Sequence, residues 1–245
     1  MKAFLFELCA ETLQAAQAAE LGGADRIELC DRLDMGGVTP GEKLTSATIQ
    51  ALSIPVHVLI RPRGGDFAYS AAEFDQMKQQ IQWVRQAGAA GVALGVLLAD
   101  GRVDVDRSRE LVKLARPMKV TFHRAFDRTP DMAAALESVI CAGADCLLTS
   151  GGAPNVLAGV KQLKRLVIQA SDHIQIMAGG GLRLASMVEV LEQTGLRCLH
   201  GSLTRKAGDG PPENDQAKGQ AEILEGDVRT AVGLMSGHFA SQLEG

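Results

Sequence analysis

"LGGADRIELC", residues 21–30, joins two kinds of structure within one short segment. An amphipathic, alanine-rich stretch stops at a glycine pair, and a β-prone run begins directly after it. The same hinge returns as "QAGAAG" at 86–91 and "CAGAD" at 141–145. Around these hinges the pattern alternates with little interruption. β-Prone runs fall at 3–8, 25–30, 55–60, 91–96, 118–123, 145–149, 174–178 and 197–200. Stretches with helical periodicity fall at 11–22, 40–51, 71–87, 104–115, 131–142, 155–170, 183–195 and 218–243. Ser70 followed by Glu73 reads as a capping box, and Gly88, Gly143 and Gly195 as helix stops.

Eight strand–helix units in 245 residues average about 31 residues each, the size of a βαβ repeat. Strict alternation predicts a parallel sheet, and eight near-uniform units predict a closed (β/α)8 TIM barrel rather than a doubly wound open sheet. No linker or shift of composition divides the chain, so residues 1–245 are expected to form a single domain. The polar, Gly- and Pro-rich segment "LTRKAGDGPPENDQA", 203–217, is expected to be a long mobile loop over the barrel top after the eighth strand.

Hydrophobic residues make up 46% of the chain, yet it holds one Trp and one Tyr, so the core must be aliphatic. A net charge of −4 argues against general binding of nucleic acid or anionic membranes. The apolar stretch before Glu7 is too short for an export signal, and no run approaches the length of a membrane span. Five cysteines with no export signal predict free thiols in a reducing cytoplasm.

In such a barrel, ligand chemistry sits at the C-terminal ends of the strands, and side chains alternate between interior and exterior. Parity places Glu7 and Cys9, then Arg26, Glu28 and Cys30, then His57 and Arg61 on the inward face. It does the same for Thr121 with His123 and for His200 with Ser202. Inward carboxylates, imidazoles and guanidinium are costly unless paired or used, so they mark a candidate site. The alternative is a buried ion-pair network in which Glu7, Glu28 and Arg61 satisfy one another.

Three strand-end loops add to this set. "RPRGGDFAYS", 61–70, is read as presenting Arg61 and Arg63 to an anion around a fixed-φ proline and two glycines. "TFHRAFD", 121–127, offers His123 as an acid/base or ligand. "MAGGGL", 177–182, places Gly179, Gly180 and Gly181 before a helix, where free backbone N–H groups and the helix dipole favour an anion.

These motifs, together with "GGADRIELC" (22–30), "GGVTPG" (36–41), "LTSGG" (148–152) and "IMAGGGL" (176–182), resemble the CutC copper-homeostasis protein family. The resemblance implies a TIM barrel, a cytoplasmic location, copper binding and a homo-oligomer. It also implies that thiols at the ends of the first two strands, here Cys9 and Cys30, hold Cu(I). Two positions depart from the family pattern. Ala10 stands where some relatives carry a second cysteine, and the eighth-strand rim reads "HGSLTRK", 200–206.

"FELC" (6–9) and "IELC" (27–30) are then the ends of consecutive strands, expected at one height. Neighbouring parallel strands lie about 4.8 Å apart, which allows two sulfurs to share one soft ion. A reversible Cys9–Cys30 disulfide and two space-filling thiols remain open alternatives. The competing function is an enzyme acting on a small anionic or phosphorylated molecule. In it, Glu7 and Glu28 share a proton, His123 is a second acid/base, and Arg61, Arg63, Gly179–Gly181 and Ser202 grip the ligand. No inward strand-end lysine supports a Schiff base, and no organic cofactor is expected.

Overall fold

The computed structural model describes residues 3–203 and 220–242. Eight parallel strands pair in sequence order, and the eighth closes on the first. The strands are β1 (Leu5–Ala10), β2 (Arg26–Leu29), β3 (Val56–Leu59), β4 (Gly91–Leu94), β5 (Lys119–Phe122), β6 (Cys146–Thr149), β7 (Gln175–Gly179) and β8 (Cys198–Gly201). The helices α1 (Leu13–Gly22), α2 (Glu42–Ala51), α3 (Ala71–Gln86) and α4 (Val105–Ala115) follow the first four strands. Helices α5 (Met132–Ala142), α6 (Val160–Ala170), α7 (Leu184–Thr194) and α8 (Gln220–Ser241) complete the ring. The expected (β/α)8 barrel is therefore the fold.

The repeated hinge has a common geometry. Gly23, Gly88 and Gly143 all sit at φ near +90° (92°, 90° and 88°), where a side chain is strained. Two residues later in the first copy, the Asp25 carboxylate accepts the Phe6 N–H of the preceding strand at 2.8 Å. Asp145 accepts the Val120 N–H at 2.8 Å in the same way. In the middle copy Ala90 occupies the aspartate position, and its N–H donates to the Val56 carbonyl at 2.9 Å.

Ser70 and Glu73 form the expected capping box at the start of α3. Helix α6 begins at Val160 rather than near 155, with Gly159 as its N-cap packed so closely on the Ser150 carbonyl that a Cβ would lie 1.9 Å from its oxygen. Short 3-10 turns at Leu33–Met35 and Arg124–Arg128, not anticipated from periodicity, lie in the loops after β2 and β5, and Leu33, Asp34 and Arg124 from them line the mouth. Apart from Leu203, the 203–217 segment lies outside the described residues through residue 217.

Alternation splits the barrel into two layers. Phe6, Leu8, Ile27, Leu29, Val58, Val92, Val120, Phe122 and Leu147 face the helices in one apolar core. The opposite parity fills the interior with Glu7, Cys9, Arg26, Glu28, His57, Thr121 and His200, all buried. Small residues make room for the rings. A Cβ on Gly91 would lie 2.4 Å from His57 Nε2, and one on Gly95 would lie 2.6 Å from His123 Nδ1. Gly91→Ala should therefore cost about 1–3 kcal/mol in urea unfolding, and His57→Ala in the same chain should recover part of it.

Register corrects one expectation. Glu7 is level with Arg26 on one side and His200 on the other, whereas Cys9 is level with Glu28. The two "ELC" copies are thus staggered by two residues instead of ending at one height. Closing eight strands into a barrel requires a net shear, so equivalent motif positions climb from strand to strand.

Candidate functional site

Glu7 lies in the barrel interior with both carboxylate oxygens engaged. One pairs with Arg26 Nε, and the other lies 2.7 Å from His200 Nδ1. Burial alone would push this carboxyl up, but the Arg26 guanidinium and His200 hold it well below the usual carboxylate range. The expected network therefore exists with different members. Glu7 is satisfied by Arg26 and His200, while Arg61 bonds neither glutamate.

Glu28 sits one layer nearer the mouth. Burial, opposed by His200 and reinforced by the negative charge of Glu7, raises its pKa above the ordinary value. No hydrogen bond joins the two glutamates; they divide into an ionised anchor and a carboxyl that holds its proton more tightly. The Cys9 thiol reaches Glu28 Oε1 at 3.7 Å, and its sulfur lies 3.4 Å from that of Cys30. The hydrogen bond with Cys30, then burial and the charge of Glu28, push the Cys9 thiol well above its ordinary pKa. All five cysteines are free thiols. Cys9, Glu28 and His200 each offer one ligand atom, and these atoms lie within 4.8 Å of one another.

Burial lowers the His57 pKa to about 4, with help from Arg26, and that of His123 to about 3, with help from Arg61. The folded chain therefore binds these protons less readily than the unfolded chain, whose histidines titrate near about 6.5. Stability from these neutral rings is full above that pH and is lost as pH falls toward about 4. Urea midpoints should fall from pH 7.5 to pH 5, and His57→Gln should flatten that slope. His200 runs the other way. Glu28 and Glu7 outweigh its desolvation and raise its pKa, so its contribution is present at acidic pH and fades as pH rises above its folded value.

A cavity of about 600 Å³ opens above these groups, lined by Cys9, Glu28, Cys30, Arg61, His123, Gly180, Gly181, His200 and Ser202. Phe67, Leu148 and Leu182 supply apolar wall, and Arg124 and Arg183 supply further positive charge. Of the residues expected here, Glu7 and Gly179 lie beneath the lining. Gly179 keeps its Cα against His200, because a Cβ would meet that side chain at 3.0 Å.

The two arginines of "RPRGGDF" do different work from that expected. Arg61 lines the cavity, but its fork donates to the carbonyls of Met35, Gly36, Gly37 and Gly65 at 2.7–3.1 Å. It also stacks 4.7 Å over Phe67, so it clamps two mouth loops together. Arg63 turns away from the cavity to Glu73 and Asp66, at 2.6 and 2.9 Å. The turn through Gly64 and Gly65 carries it onto the start of α3. Arg124 and Arg183 were not among the expected site residues, and His200 was in the inward set without an assigned role. Strand parity already put His200 inside; Arg124 was visible beside His123; Arg183 carried no signal.

A model of the CutC family matches residues 4–205 of the chain. The human copper homeostasis protein cutC homolog is 43% identical over 207 residues, covering 84% of this chain and 76% of that protein. A CutC family protein from Chromobacterium violaceum is 46% identical over 198 residues, covering 81% and 80%. The crystal structure of the CutC protein from Streptococcus agalactiae superposes with a TM-score of 0.78 at 30% identity, covering 82% of this chain and all of that one.

Proposed function

The chain belongs to the CutC family, and on that premise we propose that it binds Cu(I) at the barrel mouth through the thiolates of Cys9 and Cys30, as a copper-homeostasis protein of the cytoplasm. The observation that carries this proposal is the 3.4 Å approach of the two sulfurs. Soft thiolates suit Cu(I) better than hard cations. With metal–sulfur bonds of about 2.3 Å, a linear ion needs its sulfurs about 4.6 Å apart. The thiols must therefore part by about 1 Å or take the ion in a bent arrangement. The bent case leaves room for a third ligand; Glu28 and His200 lie within 4.8 Å of the Cys9 sulfur, in a cluster that does not include Cys30.

Copper chemistry here is proton-linked. The Cys9 thiol is held protonated at neutral pH, so binding must release its proton. Apparent Cu(I) affinity should rise by at least ~10-fold per pH unit between pH 6 and 8. A competition titration against a chromophoric Cu(I) chelator under anaerobic conditions measures this, and a flat profile would count against thiolate ligation.

A second activity is favoured by one observation. A cavity of about 600 Å³ is far larger than one ion requires and falls in the range of small-molecule sites. Arg124 and Arg183 in its lining, set against Glu11 and Asp34, and the Glu28 carboxyl, which burial shifts upward, support binding of, and acid–base chemistry on, a small anionic compound. A thermal-shift screen of phosphorylated and carboxylated metabolites, with and without Cu(I), tests it.

A further inference from the structure

The wall of the cavity opposite the thiol pair is built from β5, β6 and β7. His123, at the end of β5, caps the Arg124–Arg128 turn, its Nδ1 accepting the Ala125 N–H at 3.2 Å. A ring nitrogen that accepts a backbone N–H carries no proton, so the proton of the neutral ring resides on Nε2. Burial and Arg61 keep the ring neutral, with a pKa lowered to about 3. His123 is 4% exposed and lines the cavity, and its Nε2, itself enclosed from solvent behind that lining, has no hydrogen-bond partner. A buried donor left without an acceptor costs about 1–3 kcal/mol, which a ligand oxygen would offset.

Beside it, Arg124 is locked by Asp127 Oδ2 at 2.8 Å and Ser150 Oγ at 3.1 Å. Asp127 is itself fixed by Thr149 Oγ1 and the Ser150 and Gly152 N–H groups. Locked this way, the guanidinium lies flat against Gly180, where a Cβ would come within 2.8 Å of Cζ and 2.9 Å of Nη1. Gly180 and Gly181 both adopt positive φ, 115° and 62°. Among the described residues, the N–H groups of Gly180 and Gly181 donate no hydrogen bond to another backbone group.

Resting on the small-anion reading above, we propose that this wall binds a compact phosphorylated or carboxylated carbonyl compound. Arg124 with the Gly180 and Gly181 N–H groups grips the anion, and His123 Nε2–H donates to the carbonyl oxygen. His123 is thus a neutral hydrogen-bond donor, in place of the acid/base or ligand expected from its motif. Arg124 takes the anion-binding part expected of Arg61 and Arg63: Arg63 turns to Glu73 and Asp66, and both terminal nitrogens of Arg61 are held by loop carbonyls, which leaves only its buried Nε unpaired.

Calorimetric titration of the whole protein with dihydroxyacetone phosphate, glycerol 3-phosphate, pyruvate and lactate tests this assignment. Each carbonyl compound should bind at least ~10-fold tighter than its alcohol partner. Whichever pair binds tighter identifies phosphate or carboxylate as the preferred anion. His123→Phe should erase the carbonyl preference while retaining anion binding, and Arg124→Met should weaken both members of a pair by ~10-fold or more. Because His123→Phe can disturb packing, the wild-type ring is followed as well. Its Nε2–H proton resonance should shift on adding the carbonyl compound and stay in place with the alcohol. If no probe binds, the small-anion reading falls together with this assignment. If probes bind with no carbonyl preference and Arg124→Met leaves affinity unchanged, that reading survives and the assignment is overturned.

Discussion

Replacing Arg26 by methionine should lower the unfolding free energy by about 3–5 kcal/mol. In a domain of this size that is a drop in Tm of roughly 6–20 °C. Glu7 is 1% exposed and is held ionised chiefly by Arg26, with His200 as its second partner. Without the guanidinium, an uncompensated carboxylate remains in the barrel centre, and taking up a proton to neutralise it is costly at pH 7. The loss should shrink on acidification, as Glu7 becomes protonated. Adding Glu7→Leu to Arg26→Met should recover most of the stability, because a buried pair replaced whole by apolar side chains is often neutral. Denaturant unfolding of the single and double variants measures both, and a single variant as stable as the parent would show that Glu7 does not depend on this pair.

Cys9→Ser and Cys30→Ser should each weaken Cu(I) binding by at least ~100-fold, since each removes one of two soft ligands and leaves an alcohol in its place. Glu28→Gln and His200→Gln should cost less, about 10-fold, as these groups neighbour the ion or complete a bent site. Cys146 and Cys198 provide the internal comparison. They are buried in a separate cluster with Leu148 and Met177, where burial pushes both thiols up to about 12. Cys146→Ala should leave Cu(I) binding at the parental level. Tight binding of one equivalent that survives both the Cys9 and Cys30 substitutions would remove the thiol pair from the proposal.

Hinges of the "GGAD" type, and the alternation they separate, carried the fold because they depend on local chemistry. Positive-φ glycines stop helices, and aspartates tie strand starts to their neighbours. Parity was equally legible. Each inward polar residue read from strand alternation lies in the interior or at the mouth, since the side-chain period of two is intrinsic to a strand. It was less informative about partners. Arg61 and Arg63 looked alike as loop cations, yet one clamps carbonyls and the other bonds α3. Nothing in "RPRGGDF" reports which way the Gly64–Gly65 turn carries each fork.

The sequence by itself determined the number and order of the strands and α-helices, the two-layer division of side chains and the family, all of which follow from short-range periodicity and motif. Only the tertiary structure decided who pairs with whom. Barrel shear set Cys9 beside Glu28 and Glu7 beside Arg26 and His200. It thereby set Glu7 of the first "ELC" in a buried ion pair and left Cys9, Glu28 and Cys30 to line the mouth. That division comes from closing the sheet on itself, a constraint that spans all eight strands and leaves no mark on any one of them.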